Sequence, residues 1–288
     1  MQMTDLMDDP LVYLNGVMAP LSEAKIPVLD RGFIFGDGVY EVIPIYSRKL
    51  FRADQHMARL FRSLAAIGIA SPHSKEQWLD LIGAVVAAYP AEQQMVYMQV
   101  TRGVAKRTHA FPENINPTVF IMTGSLPLVP PSMRAQGVAC VSMEDKRWLR
   151  CDIKSISLLG SVLAAQHAAE HGAVEAIQFR DGCLTEAAAS NVWIVKQGKL
   201  LAPPLDKLIL EGIRYGLIAE ICESCNIPFE ARRISKSEVF DADEVLLSSA
   251  TKEVLAVVTI DDQTIGKGVP GPIYKKLYEA YQVAKLAA

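Results

Sequence analysis

The chain lacks long apolar runs: none of its 288 residues lie in a stretch approaching the ~20 apolar residues of a membrane-spanning helix. Its net charge is only −3, which excludes the basic excess of nucleic-acid-binding proteins. The first ten residues, MQMTDLMDDP, are acidic and lack the apolar segment of a signal peptide. These absences predict a cytoplasmic protein that binds neither membrane nor nucleic acid.

Cysteine is sparse as well. Five cysteines, an odd number without regular spacing, indicate reduced thiols rather than a disulfide framework. Cys222 and Cys225 form a single C-x-x-C, and without a second such pair inert thiols are favoured over a zinc site. His167 and His171 lie four apart on a predicted helix, where an exposed helix end is favoured because no third ligand suggests itself. We therefore expect no metal.

Several familiar motifs are missing too: the P-loop, the glycine-rich dinucleotide fingerprint, H-E-x-x-H and G-x-S-x-G do not occur. Strands and helices are present without regular βαβ alternation, which predicts an α+β protein. The stiff segment LPLVPP, residues 126–131, interrupts the pattern and is typical of a linker. We predict a small N-terminal domain over 1–125 and a larger C-terminal domain over 132–288.

Periodicity and turn signals predict the individual elements. In the N-terminal half these are a hairpin over 11–19 around Asn15-Gly16, a strand over 39–46, a helix capped by Asp54 and closed by Gly68, a helix opened by the capping box Ser74-x-x-Gln77, and strands over 95–102 and 118–123. In the C-terminal half they are strands over 138–143, 176–179, 191–195, 244–249 and 254–260, and helices over 157–171, over 212–226 and from Ser235.

Lys154 and Glu186 are the first candidates for chemistry. Lys154 stands among the small and apolar residues Ile153, Ser155 and Ile156, and a lysine amine becomes a nucleophile when its surroundings lower its pKa. Glu186 follows 32 positions later, and a carboxylate beside a pyridine nitrogen keeps that nitrogen protonated. Together they are what pyridoxal phosphate chemistry requires. Taken singly, each is more often a solvated surface group.

Three elements offer a phosphate site. Arg59 projects from a helix, and a guanidinium binds phosphate through two nitrogens. Gly212-Ile213 opens a helix whose first N–H groups favour an anion, and Ser249-Ala250-Thr251 offers hydroxyls after a strand. The ordinary alternatives are a solvated arginine, a turn and a loop.

Arg107 and His109 offer a site for a carboxylate. They stand two apart, so in an extended segment both side chains point the same way, and Tyr40 could add a third donor. A polar loop without a ligand is an equal alternative.

Taken together these segments resemble the class IV, or fold-type IV, pyridoxal-phosphate aminotransferases, with closest likeness to the branch that acts on D-amino acids such as D-alanine. The resemblance runs from about Tyr13 to about Thr259. The motifs that support it are Asp30–Glu41, Gln99–Gly103, Arg107–Asn114, Arg150–Ser155 and Thr185–Asn191.

The resemblance implies a two-domain fold-type IV enzyme with a small α/β domain and a larger domain with a mixed-sheet, barrel-like core. It implies that Lys154 links covalently to pyridoxal 5′-phosphate and moves the proton during transfer, and that Glu186 pairs with the ring nitrogen. The remaining cofactor residues that it implies are Arg59, Ser249 and the backbone at Ile213 for the phosphate, and Leu210 beneath the ring.

The substrate side follows from the same resemblance. Tyr40, Arg107 and His109 bind the substrate carboxylate, and the last two reach the site of the neighbouring subunit, which implies a homodimer with shared active sites. Two positions depart from the family pattern: Arg214-Tyr215 replaces Thr-Arg after Gly-Ile, and Ala250 replaces a hydroxyl residue. Both Arg214 and Ala250 are therefore expected to affect how the phosphate is held.

The expected activity is ping-pong transfer of an amino group between D-amino acids and 2-oxo acids such as pyruvate and 2-oxoglutarate. Two rivals share the fold: a branched-chain L-amino acid aminotransferase and an aminodeoxychorismate lyase. The Arg107-x-His109 pair disfavours both. A non-catalytic scaffold protein is a third rival, and the presence of Lys154 and Glu186 weighs against it.

Overall fold

The computed structural model describes residues 9–286, which divide into two compact units. The first unit contains the described residues up to Pro127 together with Ile153–Ser157, and the second contains Leu128–Asp152 and the chain from Leu158 onward. The predicted continuous second domain did not anticipate that Ile153–Ser157 belongs to the first unit. The first eight residues, on which the argument against a signal peptide mainly rests, lie outside the described range.

The first unit is built on a six-stranded antiparallel sheet with three helices. Its strands are β1 (Leu11–Leu14), β2 (Val17–Pro20), β3 (Gly38–Tyr46), β4 (Lys49–Leu50), β5 (Gln94–Thr101) and β6 (Thr118–Ser125). Its helices are α1 (Arg31–Phe35), α2 (Ala53–Ala66) and α3 (Lys75–Ala88). The strand order is β2-β1-β6-β5-β3-β4, and every pairing is antiparallel.

Helices α2 and α3 cover one face of this sheet. Side chains alternate along a strand, so Val39, Glu41 and Ile43 of β3 are buried while Tyr40 and Val42 on the other face are only half-buried. The apolar core between sheet and helices includes Leu60, Trp78 and Ile82. This alternation assigns Tyr40 and Glu41 to different faces of one strand.

Two predictions about helix starts had different outcomes. The capping box at α3 is confirmed, because Ser74 accepts from the N–H of Gln77 and the Gln77 side chain accepts from the N–H of Ser74. The prediction that Asp54 caps α2 is wrong: the helix begins at Ala53 with Arg52 as its N-cap, two residues earlier than predicted. Asp54 lies in the first turn and pairs with Lys75 at 2.9 Å.

The second unit contains a nine-stranded mixed sheet. Its strands are β7 (Val138–Glu144), β8 (Glu175–Arg180), β9 (Cys183–Ala187), β10 (Asn191–Lys196), β11 (Lys199–Ala202), β12 (Phe229–Ala231), β13 (Glu244–Ser249), β14 (Glu253–Ile260) and β15 (Gln263–Thr264). Its helices are α4 (Pro131–Gln136), α5 (Leu159–Glu170), α6 (Ile213–Ser224), α7 (Lys236–Phe240) and α8 (Pro272–Leu286). The order is β12-β11-β10-β13-β14-β7-β8-β9, with β15 beside β14.

The predicted α+β class is confirmed, with parallel pairs β11/β12, β14/β7 and β7/β8 among antiparallel ones. The sequence analysis did not predict β9 or α8. Helix α8 buries Tyr274, Leu277 and Tyr281, which are spaced i, i+3 and i+7, and it packs against α6 and β14.

Neither a membrane-spanning helix nor a metal cluster is found in the described range. None of its helices is long and apolar enough to cross a bilayer. Within residues 9–286 no three His, Cys, Asp or Glu side chains are grouped to hold a metal ion. His171 Nδ1 lies 2.8 Å from the carbonyl of His167, an i, i+4 contact at the end of α5.

Candidate active site

The backbone of Lys154 is hydrogen-bonded to the first residues of β3 and to α2. Its carbonyl accepts from the N–H of Tyr40 at 3.0 Å, and its N–H donates to Ser63 Oγ of α2 at 3.2 Å. The next residue, Ser155, forms an antiparallel bridge with Val39. The segment therefore adds a short strand to β3, and the lysine side chain starts from a rigid element.

The Lys154 amine lies over an aromatic ring. Its Nζ is 4.1 Å from the centre of the Tyr40 ring, which stacks on Tyr97 at 5.8 Å. The Tyr97 hydroxyl donates to Gln99 at 2.7 Å, and burial, with the neighbouring Tyr40, raises the pKa of Tyr97 to about 12. The structure thus brings the predicted residues Lys154 and Tyr40 together.

Arg59 is engaged by a residue that the sequence analysis did not single out. Its Nε and Nη2 donate to the two carboxylate oxygens of Glu41 at 2.7 and 2.8 Å, and His56 Nδ1 lies 2.9 Å from the same carboxylate. Burial alone would raise the pKa of Glu41, but the charge and hydrogen bonds of Arg59 outweigh it and hold that pKa well below its ordinary value. The guanidinium is therefore fixed in direction by Glu41.

Arg107 and His109 lie on a loop after β5, and both side chains are exposed. The predicted extended segment is not a strand, yet the two side chains meet the same ring: Arg107 Cζ lies 5.4 Å and the His109 ring 5.5 Å from the ring centre of Phe35. The structure therefore brings Arg107 and His109 together, as their spacing predicted, through Phe35 rather than through strand geometry.

Glu186 is buried in the second unit, near the end of β9. One oxygen accepts from Arg147 Nη1 at 2.5 Å, and the other accepts from the N–H of Leu210 at 3.0 Å and from Asn191 Nδ2 at 3.3 Å. Burial raises the pKa of Glu186, and Arg147 only partly offsets it. These contacts fix the direction of the Glu186 carboxylate, which would face the ring nitrogen of a bound cofactor.

Asn191 connects Glu186 with the start of α6. Besides its bond to Glu186, its Nδ2 donates to the carbonyl of Leu210 at 2.9 Å. A Cβ on Gly212 would come within 2.0 Å of Asn191 Oδ1, so only glycine fits there. Gly212 is the N-cap of α6 and has no side chain to cap the helix. The first N–H groups of the helix, beginning at Ile213, therefore donate no hydrogen bond to a capping side chain.

Ser249 is the last residue of β13 in the same sheet, and Ala250 is the first residue after that strand. Ser248 of β13 pairs with Asn191 of β10, and Asn191 in turn donates to Glu186. Ser249 therefore lies next to that pair. Ser249 Oγ accepts from the N–H of Lys252 at 3.1 Å, and Lys252 Nζ pairs with the buried Glu175 at 2.7 Å. The loop after β13 is thus anchored on both sides.

Arg214 has a role that its sequence position did not indicate. Its side chain is buried, and its Nε donates to the hydroxyl of Tyr281 in α8 at 3.1 Å. This bond links the first turn of α6 to the C-terminal helix.

These residues fit the cofactor that the resemblance implies. The second unit combines a buried carboxylate of raised pKa, an uncapped helix start and a serine at a strand end, which match a ring nitrogen and a phosphate. The first unit supplies an amine on a rigid element and an oriented guanidinium. Sequence reasoning had named Lys154, Glu186, Ile213 and Ser249, but had missed Glu41, Arg147 and Asn191. Glu41 and Asn191 stand within the motifs quoted above, which was the available signal.

Comparisons with known proteins agree on one family. The pattern of the family described as amino-transferase class IV matches residues 38–260. A D-alanine aminotransferase of Bacillus licheniformis is 42% identical over 272 residues, covering 94% of this chain and 95% of that protein. A D-alanine aminotransferase of Staphylococcus aureus (strain MSSA476) is 40% identical over 272 residues, covering 94% and 96%.

The similarity extends to solved structures. A branched-chain amino acid aminotransferase of Escherichia coli has a TM-score of 0.91 with this chain, at 23% identity, and the match covers 96% of this chain and 94% of that one. At this identity the likeness concerns the fold.

Proposed function

This chain belongs to the class IV aminotransferase family, whose members depend on pyridoxal 5′-phosphate, and we propose that it transfers amino groups between D-amino acids and 2-oxo acids. The proposal includes D-alanine as donor and pyruvate and 2-oxoglutarate as acceptors, in a ping-pong sequence. Relatives at 42% and 40% identity are D-alanine aminotransferases, whereas the branched-chain enzyme shares the fold at 23%.

The cofactor supplies an electron sink when it is bound, and the protein supplies binding and orientation. In the proposed arrangement Lys154 is the covalent attachment point and the base that moves the substrate Cα proton. Glu186 holds the ring nitrogen, and Leu210 lies against the ring. Arg59, the N–H groups at Ile213 and Ser249 hold the phosphate.

Two further cofactor contacts belong to this proposal. Ala250 contributes its backbone to the phosphate, since it has no hydroxyl. Arg214 supports the phosphate-binding turn of α6 from behind through Tyr281, which is consistent with the 3.1 Å bond between them.

The observation that supports the D-specific proposal best is the pairing of Arg107 and His109 on the Phe35 ring. A cation beside an imidazole binds a carboxylate, and Tyr40 adds a hydroxyl. Where the carboxylate is anchored decides which hand of substrate presents its Cα–H bond to Lys154.

The experiment is a comparison of donors with the purified, cofactor-loaded enzyme. D-Alanine with 2-oxoglutarate should react well and L-leucine poorly, with pyruvate exceeding one equivalent per active site only when an acceptor is present. A preference for L-leucine would favour the branched-chain alternative, and pyruvate released over many turnovers without an acceptor would favour a lyase. Lys154→Ala should abolish both turnover and the borohydride-stable link to the cofactor.

A homodimer with shared sites is part of the proposal. Helix α5 exposes Leu159, Val162 and Leu163 at 72%, 57% and 59%, and their i, i+3, i+4 spacing gives one apolar face, as expected of a self-association surface. We place the enzyme in the cytoplasm, which the five free cysteines support.

Mixing two defective variants tests the shared site. Lys154→Ala and Arg107→Ala chains, unfolded and reassembled together at equal ratio, should recover about a quarter of wild-type activity, because half the dimers then hold one intact site. No recovery would mean that both residues act within one chain.

A further inference from the structure

A buried cluster of charges lies behind the loop that carries Arg107 and His109. Asp37 accepts from Arg31 Nε at 2.8 Å, and from Arg102 Nε and Nη2 at 2.8 and 3.0 Å. Both arginines are almost fully buried, at 3% and 4% exposure. Burial alone would raise the pKa of Asp37, but the two guanidinium groups outweigh it and lower that pKa, so the carboxylate is charged at neutral pH.

Arg31 connects this cluster to the loop. Its Nη1 donates to the carbonyl of Thr108 at 2.6 Å, and its Nη2 donates to the carbonyl of His109 at 3.3 Å. These carbonyls belong to the two loop residues that follow Arg107. One buried guanidinium therefore holds the backbone of a segment whose own side chains are exposed.

Phe35, four residues after Arg31 on α1, holds the side chains of the same loop. Its ring centre is 4.8 Å from Arg31 Cζ, 5.4 Å from Arg107 Cζ and 5.5 Å from the His109 ring. Contacts of this kind between a guanidinium and a ring are attractive, because the face of the ring carries negative charge density. Helix α1 thus sets both the backbone and the side-chain direction of the pair.

Arg102 ties the cluster to the rest of the first unit. It donates to the carbonyls of Ile67 and Gly68 at the end of α2, at 2.7 and 3.2 Å, and its Cζ lies 3.5 Å from the Phe111 ring. The loop is therefore fastened at two neighbouring points, by Arg31 at Thr108 and His109 and by Arg102 at Phe111.

We infer that Arg31, Asp37 and Arg102, with Phe35, are positioning residues that hold Arg107 and His109 in the arrangement that binds the substrate carboxylate. This inference rests on the proposed function. Fixing an exposed loop before substrate arrives removes the entropic cost of ordering it on binding, so the cluster acts on substrate affinity rather than on the chemical step.

Arg31→Lys tests the inference, because one ammonium cannot replace a fork that meets Asp37 and two carbonyls at once. We expect KM for D-alanine to rise about tenfold, with kcat within about threefold of wild type. The amount of borohydride-stable cofactor should not change. The matched control is Arg48→Lys: Arg48 also donates to backbone carbonyls of the first unit, those of Val86 near the end of α3 and of Tyr89 just after it among them, and these lie away from the Arg107 loop.

Phe35→Leu gives a second measurement if Arg31→Lys does not fold. It keeps an apolar side chain and removes the ring, and KM for D-alanine should rise about threefold to tenfold with kcat preserved. The inference would be overturned by an unchanged KM in both variants. It would also be overturned if these variants changed kcat, KM and cofactor content to the same extent as Arg48→Lys does. Wild-type enzyme that fails to use D-alanine would instead overturn the proposed function.

Discussion

Two buried glutamates, one in each unit, show how differently a protein can treat the same side chain. Glu41 in the first unit and Glu186 in the second are 0% and 6% exposed, so burial opposes the charge of both. The pKa of Glu41 is nevertheless lowered, while that of Glu186 is raised. Burial therefore does not decide the outcome.

The difference lies in how each arginine is used. Arg59 meets Glu41 with two nitrogens, and His56 adds a third contact. Arg147 gives two nitrogens to Asp145, at 3.0 and 2.9 Å, and only Nη1 to Glu186. An arginine shared with Asp145 leaves the desolvation of Glu186 only partly offset. Arg59 gives Glu41 a two-nitrogen contact, which makes Glu41 a structural anchor.

The largest effect is expected from Glu41→Gln. Gln keeps the shape but removes the charge, which leaves the buried Arg59 guanidinium without its carboxylate partner. Breaking a buried pair in this way typically costs about 3–5 kcal/mol of folding free energy, and we expect a loss of that size in urea denaturation. Cofactor affinity should fall as well, because Glu41 orients Arg59.

Glu244→Gln is the matched control for that variant. Glu244 is buried, but it accepts from the N–H groups of Ile273 and Tyr274 at the start of α8 at 2.9 Å. Gln keeps one of the two accepting oxygens and leaves no buried guanidinium without its carboxylate, so the loss should be clearly smaller. Equal losses of folding free energy in the two variants would show that the charge pair between Glu41 and Arg59 does not set the cost.

Glu186→Gln should separate activity from stability. We expect kcat to fall by a factor on the order of 10² or more, since a neutral amide cannot keep the ring nitrogen protonated. The denaturation midpoint should change little, because Arg147 keeps its two bonds to Asp145. Near-normal single-turnover kinetics would mean that Glu186 does not face the ring nitrogen.

The dependence of stability on pH should have opposite signs at the two residues. The lowered pKa of Glu41 means that its stabilising contribution is complete above its unfolded value of 4.5 and is lost as the pH falls further. The raised pKa of Glu186 means that its folded form holds the proton more tightly, so stability falls as the pH rises above 4.5. We therefore expect the difference in urea midpoint between wild type and each Gln variant to change with pH in opposite directions for the two residues. Measurements below and above pH 4.5 test this.

The smallest effect is expected from an exposed ion pair in the first unit. Lys75 and Asp54 are 2.9 Å apart, with side chains 43% and 75% exposed. Water screens such a pair, so Lys75→Met should leave the denaturation midpoint unchanged within measurement error. A loss comparable with that of Glu41→Gln would show that burial is not what separates the two kinds of pair.

The elements that could be predicted from the sequence are those whose cause is local. The turn at Asn15-Gly16, with φ of 48° and 95°, and the capping boxes at Ser74 and Ser235 each depend on residues within a few positions. Helix α1 has only five residues, too few for an apolar period, and β9 was overlooked beside its predicted partner β8.

The candidate site divides along the same line. The sequence by itself singled out the candidates for chemistry, such as Lys154, Glu186 and the Arg107–His109 pair, because their types and neighbours indicate it. Only the tertiary structure decided their partners: Glu41 for Arg59, Arg147 for Glu186 and Phe35 for Arg107 and His109. These contacts span from 18 to 74 positions along the chain, and packing rather than local sequence sets which distant residues meet.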